Sequence, residues 1–417
     1  MIVERAKMIS RILRTLERTL SRKTSSGEFL PEVDGLRFIA IFAVLLHHTM
    51  ARYLTVSNRF GHVDLPATWY LITPKHWLVN VAFLGYFGVR LFFVISGFIL
   101  ALPFARAYFN DAPQPSLKQY YFRRLVRIEP PYIIALMACF AVIWFTNLGR
   151  HVFIPHFFAS LFYAHGSIYG QSSWVNGVAW SLEVEIQFYL LVPILVRVFA
   201  IDSVLVRRLV LTTAIVVLGV IDQRYIESSD LNRLKLSLLP FLQYFLAGFL
   251  LADVFLKRRA EVRADGSRRG SPYYDALAVL AAASMARILV AYPDLFFLLP
   301  FAVGAFYLAV FRGQMVRAIV TWKPLVIVGG MCYTIYLYHF LIIDQLGPHI
   351  YPLISLSRPF WMDFGIQFAL WLAAILPICA LLFVCIERPF MSLRLRSRTR
   401  STQVMTPIRV ASPTFPE

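Results

Sequence analysis

The stretch from Asp34 to His48, DGLRFIAIFAVLLHH, places an apolar run between an arginine and two histidines. Arg37 and His48 are eleven residues apart, which in a helix is about 16 Å of rise and about three turns, so their side chains share one face. With Arg37 at the rim of a ~30 Å hydrocarbon layer, His48 lies near its middle. Ionisable groups at that depth are costly and mark functional sites. Such a stripe suits a long ligand with an anionic head and a reactive far end.

Two further apolar stretches contain charged groups that need partners. GVRLFFVISGFIL places Arg90 about 10 Å below the outer surface of the membrane, next to Ser96 and Gly97, which are small enough for close helix packing. WSLEVEIQFYLLVPIL places Glu183 and Glu185 about 200° apart around a helix, so at least one carboxylate pairs inside the protein. The candidate partners are Arg90 and His48. We predict that Arg90 pairs with Glu185 or with Glu183.

Two more motifs contain candidate binding and reactive groups. In YFRRLVRIEPPY, Arg123 and Arg127 are four residues apart and share a helix face just before an apolar run, where they suit a phosphate group. In GGMCYTIYLYHFLIID, Tyr336 and His339 are three residues apart and share a face about 20 Å above the cytoplasmic end. His339 is therefore a second candidate for a reactive histidine.

Each of these groups also has a structural interpretation. Arg37 can simply mark the cytoplasmic end of a span, and Arg90 can snorkel to the outer interface. The arginines of YFRRLVRIEPPY can be ordinary topology signals. His339 can be a histidine that hydrogen-bonds between packed helices, and the carboxylates can belong to structural ion pairs.

Membrane-spanning helices must position these residues. The chain of 417 residues is 59% hydrophobic, and its mean hydropathy of +0.64 is typical of an all-α polytopic membrane protein. The net charge of +18 comes from basic residues between the apolar runs. By the positive-inside rule, these residues predict a topology with both termini in the cytoplasm. They do not indicate nucleic-acid binding. Hydropathy predicts ten spans, at residues 38–55, 83–103, 128–146, 179–199, 204–221, 237–256, 274–292, 295–311, 325–345 and 363–386.

The segments outside the spans have distinct compositions. Residues 9–22 alternate apolar residues with arginines at helical spacing, which predicts an amphipathic helix on the cytoplasmic surface. Residues 153–169 are expected to dip into the membrane as a short non-spanning helix. Four cysteines without metal-ligand spacing favour neither disulfides nor a metal site. The outer segments are rich in aromatic side chains that suit an interfacial belt or a platform for a sugar ring, namely Trp69, Tyr70, His76, Trp77, His151, His156, Phe157, Phe158, Tyr163 and Trp174.

Taken together, the motifs resemble the acyltransferase-3 family of integral-membrane O-acyltransferases. Asp-Gly-Leu-Arg followed by ten residues and His48 resembles the opening signature of that family, and RRxxRIxPPY resembles a later block. WSLEVEIQFYLL is similar to a block that matches at Glu185 and Gln187, while Glu183 stands at a variable position. Arg90 also stands at a variable position, within a block similar to GVxLFFVLSGF. TIYLYH and the terminal IERPF complete the resemblance, which extends from residue 34 to residue 390.

The resemblance implies transfer of an acyl group, most often acetyl, from cytoplasmic acyl-CoA (acetyl-CoA) to a hydroxyl of a glycan or a similar acceptor. It implies that Arg123, Arg124 and Arg127 serve the donor, and Arg37 is a fourth candidate for holding its phosphates. It also implies a protein of the bacterial inner membrane whose donor is a substrate, with no permanently bound cofactor and no metal. The oligomeric state stays open.

The candidate catalytic residues are His48, Arg90, Glu185 and His339. In this interpretation His48 acts as general base or as a transient acyl carrier. Arg90 is a cation that can stabilise the oxyanion. We divide the chain into a basic amphipathic segment (1–30), a transmembrane acyltransferase domain (31–392) and a basic, then disordered tail (393–417). The alternatives are a transporter of a charged solute or acyl group that uses the same residues, and a structural subunit of a polysaccharide assembly complex.

Overall fold

We describe a computed structural model of the chain over residues 19–22, 29–57, 84–109, 112–146, 150–227, 229–265 and 270–391. The predicted N-terminal amphipathic helix, the aromatic residues between positions 58 and 83, and the predicted tail lie outside these ranges, apart from residues 19–22. Within the described ranges the protein is helical and contains no strand. The predicted all-α class is confirmed.

Several of the described helices are connected by single 3₁₀ turns. In chain order they are α1 (Pro31–Ser57), α2 (Gly88–Phe109), α3 (Leu117–Thr146), α4 (Phe153–Leu161), α5 (His165–Tyr169), α6 (Trp180–Leu195), α7 (Val204–Ile221), α8 (Asn232–Lys235), α9 (Leu242–Asp265), α10 (Pro272–Ala291), α11 (Leu299–Arg312), α12 (Met315–Val320), α13 (Lys323–Gly330), α14 (Cys332–Ile350), α15 (Phe360–Leu382) and α16 (Arg388–Met391).

Eight helices of the described ranges are long and apolar enough to cross a membrane. The pair α13 and α14, bent by 70° at their junction, counts as a ninth if it forms one span. The chain is therefore a multi-pass membrane protein. The fourth predicted span is shorter than expected, because α6 has 16 residues, or about 24 Å of helix, whereas a span needs about 20 residues.

Glycines set two of the closest helix contacts. A Cβ atom at Gly97 of α2 would lie 2.1 Å from the carbonyl oxygen of Phe245 on α9. A Cβ atom at Gly329 of α13 would lie 1.7 Å from the carbonyl oxygen of Asp34 on α1. Helices in membranes approach this closely only where the residues are small, because larger side chains would keep the backbones apart. Close packing matters here because lipid supplies no hydrophobic drive for helix association. The contact of α13 with α1 holds Asp34 and Arg37 against the start of α14.

Buried charges and hydrogen bonds distinguish one end of the bundle, which we call the basic end. There, α1 begins and Glu32 bonds to Arg317, while Asp253 of α9 accepts from Arg207 and Arg208 at 2.6 Å each. Glu387, the glutamate of IERPF, accepts from the Thr334 amide and hydroxyl at 3.2 and 2.6 Å. The ion pairs and hydrogen bonds offset part of the desolvation cost of burying these charges.

Residues 150–179, which we call the re-entrant segment, enter the bundle from the opposite end. They form the two short helices α4 and α5. The Tyr132 hydroxyl, halfway along α3, donates to the carbonyl of Ser160 at 2.8 Å, and the Asn176 amide donates to the carbonyl of Leu337 on α14 at 3.2 Å. The segment therefore reaches the middle of α3 and the first half of α14, and α6 starts from that depth.

Candidate functional site

A central cavity lies among α1, α2, α3, α6 and α14, with a volume of about 100 Å³. Its apolar wall comes mainly from α2 and includes Val89, Phe92 and Phe93. Its polar lining includes Arg37, Ser96, Arg124, Arg127, Ser181, Glu185, Tyr189, Tyr333 and Tyr336. A cavity of this size holds about three water molecules at their share of liquid volume. It therefore has room for a small polar group or a slender chain.

Arginines concentrate at the basic end of this cavity. Arg37 donates to Asp34 at 2.6 Å, and Arg22 donates to the same carboxylate oxygen at 2.9 Å. Asp34 is three residues before Arg37, so the two side chains meet on one face of α1. The shared carboxylate holds the Arg37 guanidinium in place against the lining.

Arg124 and Arg127 line the cavity together, whereas Arg123 is exposed and does not. The sequence interpretation paired Arg123 with Arg127 because residues four apart share a helix face. Arg127 stands about 40° from Arg123 and about 60° from Arg124 around the helix, so either partner was compatible with the spacing. The rotation of α3 about its axis, set by its packing against α2 and α6, turns Arg124 and not Arg123 towards the cavity.

Glu185 faces the cavity and accepts two hydrogen bonds. The Ser96 hydroxyl donates to its Oε1 at 2.7 Å, and the Tyr189 hydroxyl donates to the same oxygen at 2.5 Å. Ser96, assigned to helix packing from the sequence, therefore has a polar role as well. Glu183 faces the re-entrant segment, where its Oε2 accepts from the backbone N–H of Gly166 at 2.8 Å.

Arg90 lies elsewhere, and the predicted pair with Glu185 or Glu183 is wrong. Its guanidinium lies over the ring of Phe87 at 4.7 Å and near three other aromatic rings. Asp222 is a carboxylate close enough to interact with its charge. Arg90 and Ser96 are six residues apart, which is about 120° around α2, so a helix that turns Ser96 towards Glu185 turns Arg90 away.

The two candidate histidines meet although they are 291 residues apart. Nε2 of His339 lies 2.9 Å from Nδ1 of His48, and the ring centroids are 5.0 Å apart. Nδ1 of His339 lies 2.8 and 3.0 Å from the carbonyl oxygens of Tyr336 and Ile335. Carbonyl oxygens only accept, so this Nδ1 carries the proton, and Nε2 accepts from His48 when both rings are neutral. The geometry leaves the lone pair of His48 on Nε2.

Tyr336 connects this histidine pair to the cavity. It is one helical turn before His339 and lines the cavity, with its ring centroid 5.9 Å from that of His339. The Tyr336 hydroxyl donates to the carbonyl of Val178 at 3.0 Å and lies 2.7 Å from the Ser181 hydroxyl. The pair therefore adjoins the cavity, at the boundary with the re-entrant segment.

Four polar residues of the site received no role from the sequence. They are Asp34, Ser181, Tyr189 and Tyr333. All four stand three or four positions from a residue that was singled out, since Asp34 precedes Arg37, Ser181 and Tyr189 lie on either side of Glu185, and Tyr333 precedes Tyr336. The same-face rule for helices was therefore a usable signal for each of them. The contact with the Tyr336 hydroxyl also identifies Ser181.

The comparisons with known proteins agree with this architecture. A family model described as an acyltransferase domain matches residues 30–387. The O-acetyltransferase OatA of Staphylococcus aureus strain COL is 24% identical over 346 residues, which cover 77% of this chain and 52% of that protein. A putative O-acetyltransferase of the same strain is 24% identical over 351 residues, with the same coverage of both chains.

The chain spans about half the length of the curated relatives it matches. No solved structure matches.

Proposed function

Because this chain belongs to the acyltransferase-3 family, we propose that it is a membrane O-acetyltransferase. The single observation that carries the proposal is the His48–His339 pair, which adjoins a cavity with arginines at its other end. In this proposal acetyl-CoA is the donor and the acceptor is a hydroxyl of a glycan. No permanently bound cofactor takes part. The relatives named O-acetyltransferases support the acetyl group.

The donor binds from the basic end. Arg124 and Arg127 contact its phosphates at the mouth, and Arg37, held by Asp34, contributes a third cation. Arginine is well suited to this duty because its planar guanidinium forms two parallel hydrogen bonds to a phosphate. The cavity volume of about 100 Å³ suits the small thioester end of an acetyl donor.

His48 performs the proton transfer. In one route its Nε2 takes the proton from the acceptor hydroxyl while the oxygen attacks the thioester carbonyl. The carbon–sulfur bond then breaks, and the thiolate takes the proton back from His48. In the other route Nε2 attacks the carbonyl itself, the carbon–sulfur bond breaks and the CoA thiolate leaves. The acyl-imidazole then passes the acyl group to the acceptor oxygen, and the proton of the acceptor hydroxyl goes to the thiolate. Both routes use the lone pair that the contact with His339 leaves on Nε2.

We give Arg90 no step in this mechanism, because its guanidinium lies over the ring of Phe87 and near other aromatic rings. Glu185 orders the cavity wall through Ser96 and Tyr189. Its negative charge also balances the arginines while the donor is absent, since it lies close enough to interact with Arg37. We therefore assign Glu185 a positioning role.

The test measures acetyl-CoA hydrolysis and acceptor labelling by the purified protein in detergent. His48→Ala is expected to abolish both, because the lone pair is gone. His47→Ala is the matched control, since His47 points about 100° away around α1, and most activity is expected to remain. Loss of activity in the His47 variant with retention in the His48 variant would reverse the assignment. A wild-type protein that neither hydrolyses acetyl-CoA nor labels an acceptor would contradict the proposed function.

A further inference from the structure

Two exposed aromatic rings of the re-entrant segment rest on a rigid base. The His156 ring lies 4.1 Å from that of Trp174 at an interplanar angle of 20°, and 4.3 Å from that of Tyr169. His156 itself is buried, and its Nδ1 lies 2.8 Å from Nε2 of His165, whose Nδ1 lies 3.0 Å from the Gln171 carbonyl. This chain of hydrogen bonds fixes the base on which both aromatic rings lie.

Trp174 and Tyr169 remain 47% and 37% exposed. An aromatic face that is held rigid and open to solvent binds a ligand at little cost in conformational entropy. Both rings lie at the end of the bundle opposite to the arginines of the cavity.

Tyr169 also belongs to the wall of a groove, which we call the polar groove, of about 750 Å³. The groove runs between α5 and α8, and its hydrogen-bonding residues are Ser167, Asp230, Asn232, Arg233 and Ser237. Hydroxyl, carboxylate, amide and guanidinium groups together offer both donors and acceptors along the groove. The volume lies within the range of small-ligand sites.

Hydrogen bonds connect the segment that contains the aromatic rings to α14, the helix of His339. Asn176, two residues after Trp174, bonds to the backbone of Leu337 on α14. Ser181 at the start of α6 contacts the hydroxyl of Tyr336. Leu337 and Tyr336 precede His339 on α14 by two and three positions. A ligand on the re-entrant segment therefore lies on the same side of the bundle as the His48–His339 pair.

From these contacts we infer that the polar groove, together with Trp174 and Tyr169, binds the acceptor, and that the acceptor is a carbohydrate. A sugar ring has C–H faces that stack on aromatic rings and a rim of hydroxyls that needs both donors and acceptors. The groove offers this combination. This inference rests on the proposed function, which it deepens by giving the acceptor a site separate from the donor mouth.

The experiment compares two readouts in each variant. The first is the amount of O-acetyl ester on glycans extracted from cells that carry the variant as their only copy. The second is acetyl-CoA hydrolysis by the purified protein. Trp174→Ala and Arg233→Ala are each expected to lower ester by about fivefold or more, since one lost stacking or charged contact contributes about 1 kcal/mol. Donor hydrolysis is expected to stay within about twofold of wild type, because the cavity is intact.

Two further variants sharpen the result. Trp174→Phe keeps an aromatic face and is expected to restore most of the ester. Trp361→Ala is the matched control, because Trp361 is 63% exposed at the start of α15 and does not line the groove, and it is expected to leave both readouts unchanged.

Wild-type ester levels in Trp174→Ala and Arg233→Ala would overturn the inference and assign Trp174 to an interfacial belt. Equal loss of ester and of donor hydrolysis would also overturn it, since the residues would then only support the fold. If the wild-type protein shows neither readout, the proposed function fails and the inference fails with it.

Discussion

At the scale of residues, the orientation of His48 depends on one partner. His339 accepts from Nδ1 of His48 and is itself held by two backbone carbonyls. A reactive histidine generally needs a second group to fix its tautomer, a duty that a carboxylate performs in many hydrolases. In the proposed mechanism the imidazole of His339 has this duty, which avoids burying a negative charge inside the membrane.

His339→Phe tests this dependence. The variant keeps a ring in the packed position but removes the acceptor, so His48 can adopt the tautomer that has no lone pair facing the substrate. We expect kcat to fall by about 10²-fold to 10⁴-fold, while the KM for acetyl-CoA changes little. Steady-state kinetics with varied acetyl-CoA measure both constants. A rise in KM with unchanged kcat would instead assign His339 to donor binding.

The arginines of α3 provide a second residue-scale prediction. Arg124→Ala and Arg127→Ala are expected to raise the KM for acetyl-CoA by about tenfold each, through lost charge-assisted contacts of about 1–2 kcal/mol in a water-accessible mouth. Arg123→Ala is the control, because this exposed residue does not line the cavity. If Arg123→Ala matches the other two variants, the three arginines act together as surface charge and not as a site.

At the scale of elements, the re-entrant segment is expected to have its own pH response. Burial lowers the pKa of His156 and of His165 below the usual value of about 6.5. The folded segment therefore binds fewer protons than the unfolded one. Its stability is complete above about pH 6.5 and decreases as the pH falls through that value towards the lowered pKa values. Two carboxylates on neighbouring helices also face the segment, Glu183, which accepts from the backbone N–H of Gly166, and Glu129, which interacts with Tyr163.

We expect the backbone amides of residues 153–175 to exchange faster at about pH 5.5 than at about pH 7.5, after correction for intrinsic rates. The double variant His156→Gln, His165→Gln is expected to lose this difference, since glutamine does not titrate. His151→Gln is the control, because His151 is exposed in the same segment. A pH response that survives in the double variant would assign it to another group.

At the scale of the whole molecule, the ends of the bundle differ in charge. The turn around Met315 lies at the basic end with Arg317, and the turn around Ser357 lies at the opposite end, after α14. The positive-inside rule then predicts that Met315 faces the cytoplasm and Ser357 faces the outside. The donor mouth is expected on the side where acetyl-CoA is made.

Single cysteines at these two positions test the topology, in a background where the exposed Cys385 is replaced by serine. A membrane-impermeant maleimide added to intact cells is expected to label Ser357→Cys and not Met315→Cys. Opening the cells is the control and is expected to expose both. Labelling of Met315→Cys in intact cells would invert the assignment of both mouths.

The properties that belong to a single helix followed from the sequence alone. Hydropathy gave the class of multi-pass helical membrane protein, and the motifs gave the family. The fixed 100° rotation per residue placed Arg37 and His48 on one stripe of α1. All of these are local properties, because they follow from the order of residues along one segment.

Which side chains contact each other between helices could be read only from the tertiary structure. In the folded protein, His48 forms a hydrogen bond with His339, and Glu185 accepts hydrogen bonds from Ser96 and Tyr189. Arg90 lies over an aromatic ring. The spacing of residues leaves the rotation of each helix about its axis undetermined, as the choice between Arg123 and Arg124 illustrates. That rotation is settled by how whole faces pack, including glycine contacts such as that of Gly97 with Phe245. Partners of buried polar groups therefore depend on neighbours hundreds of residues away.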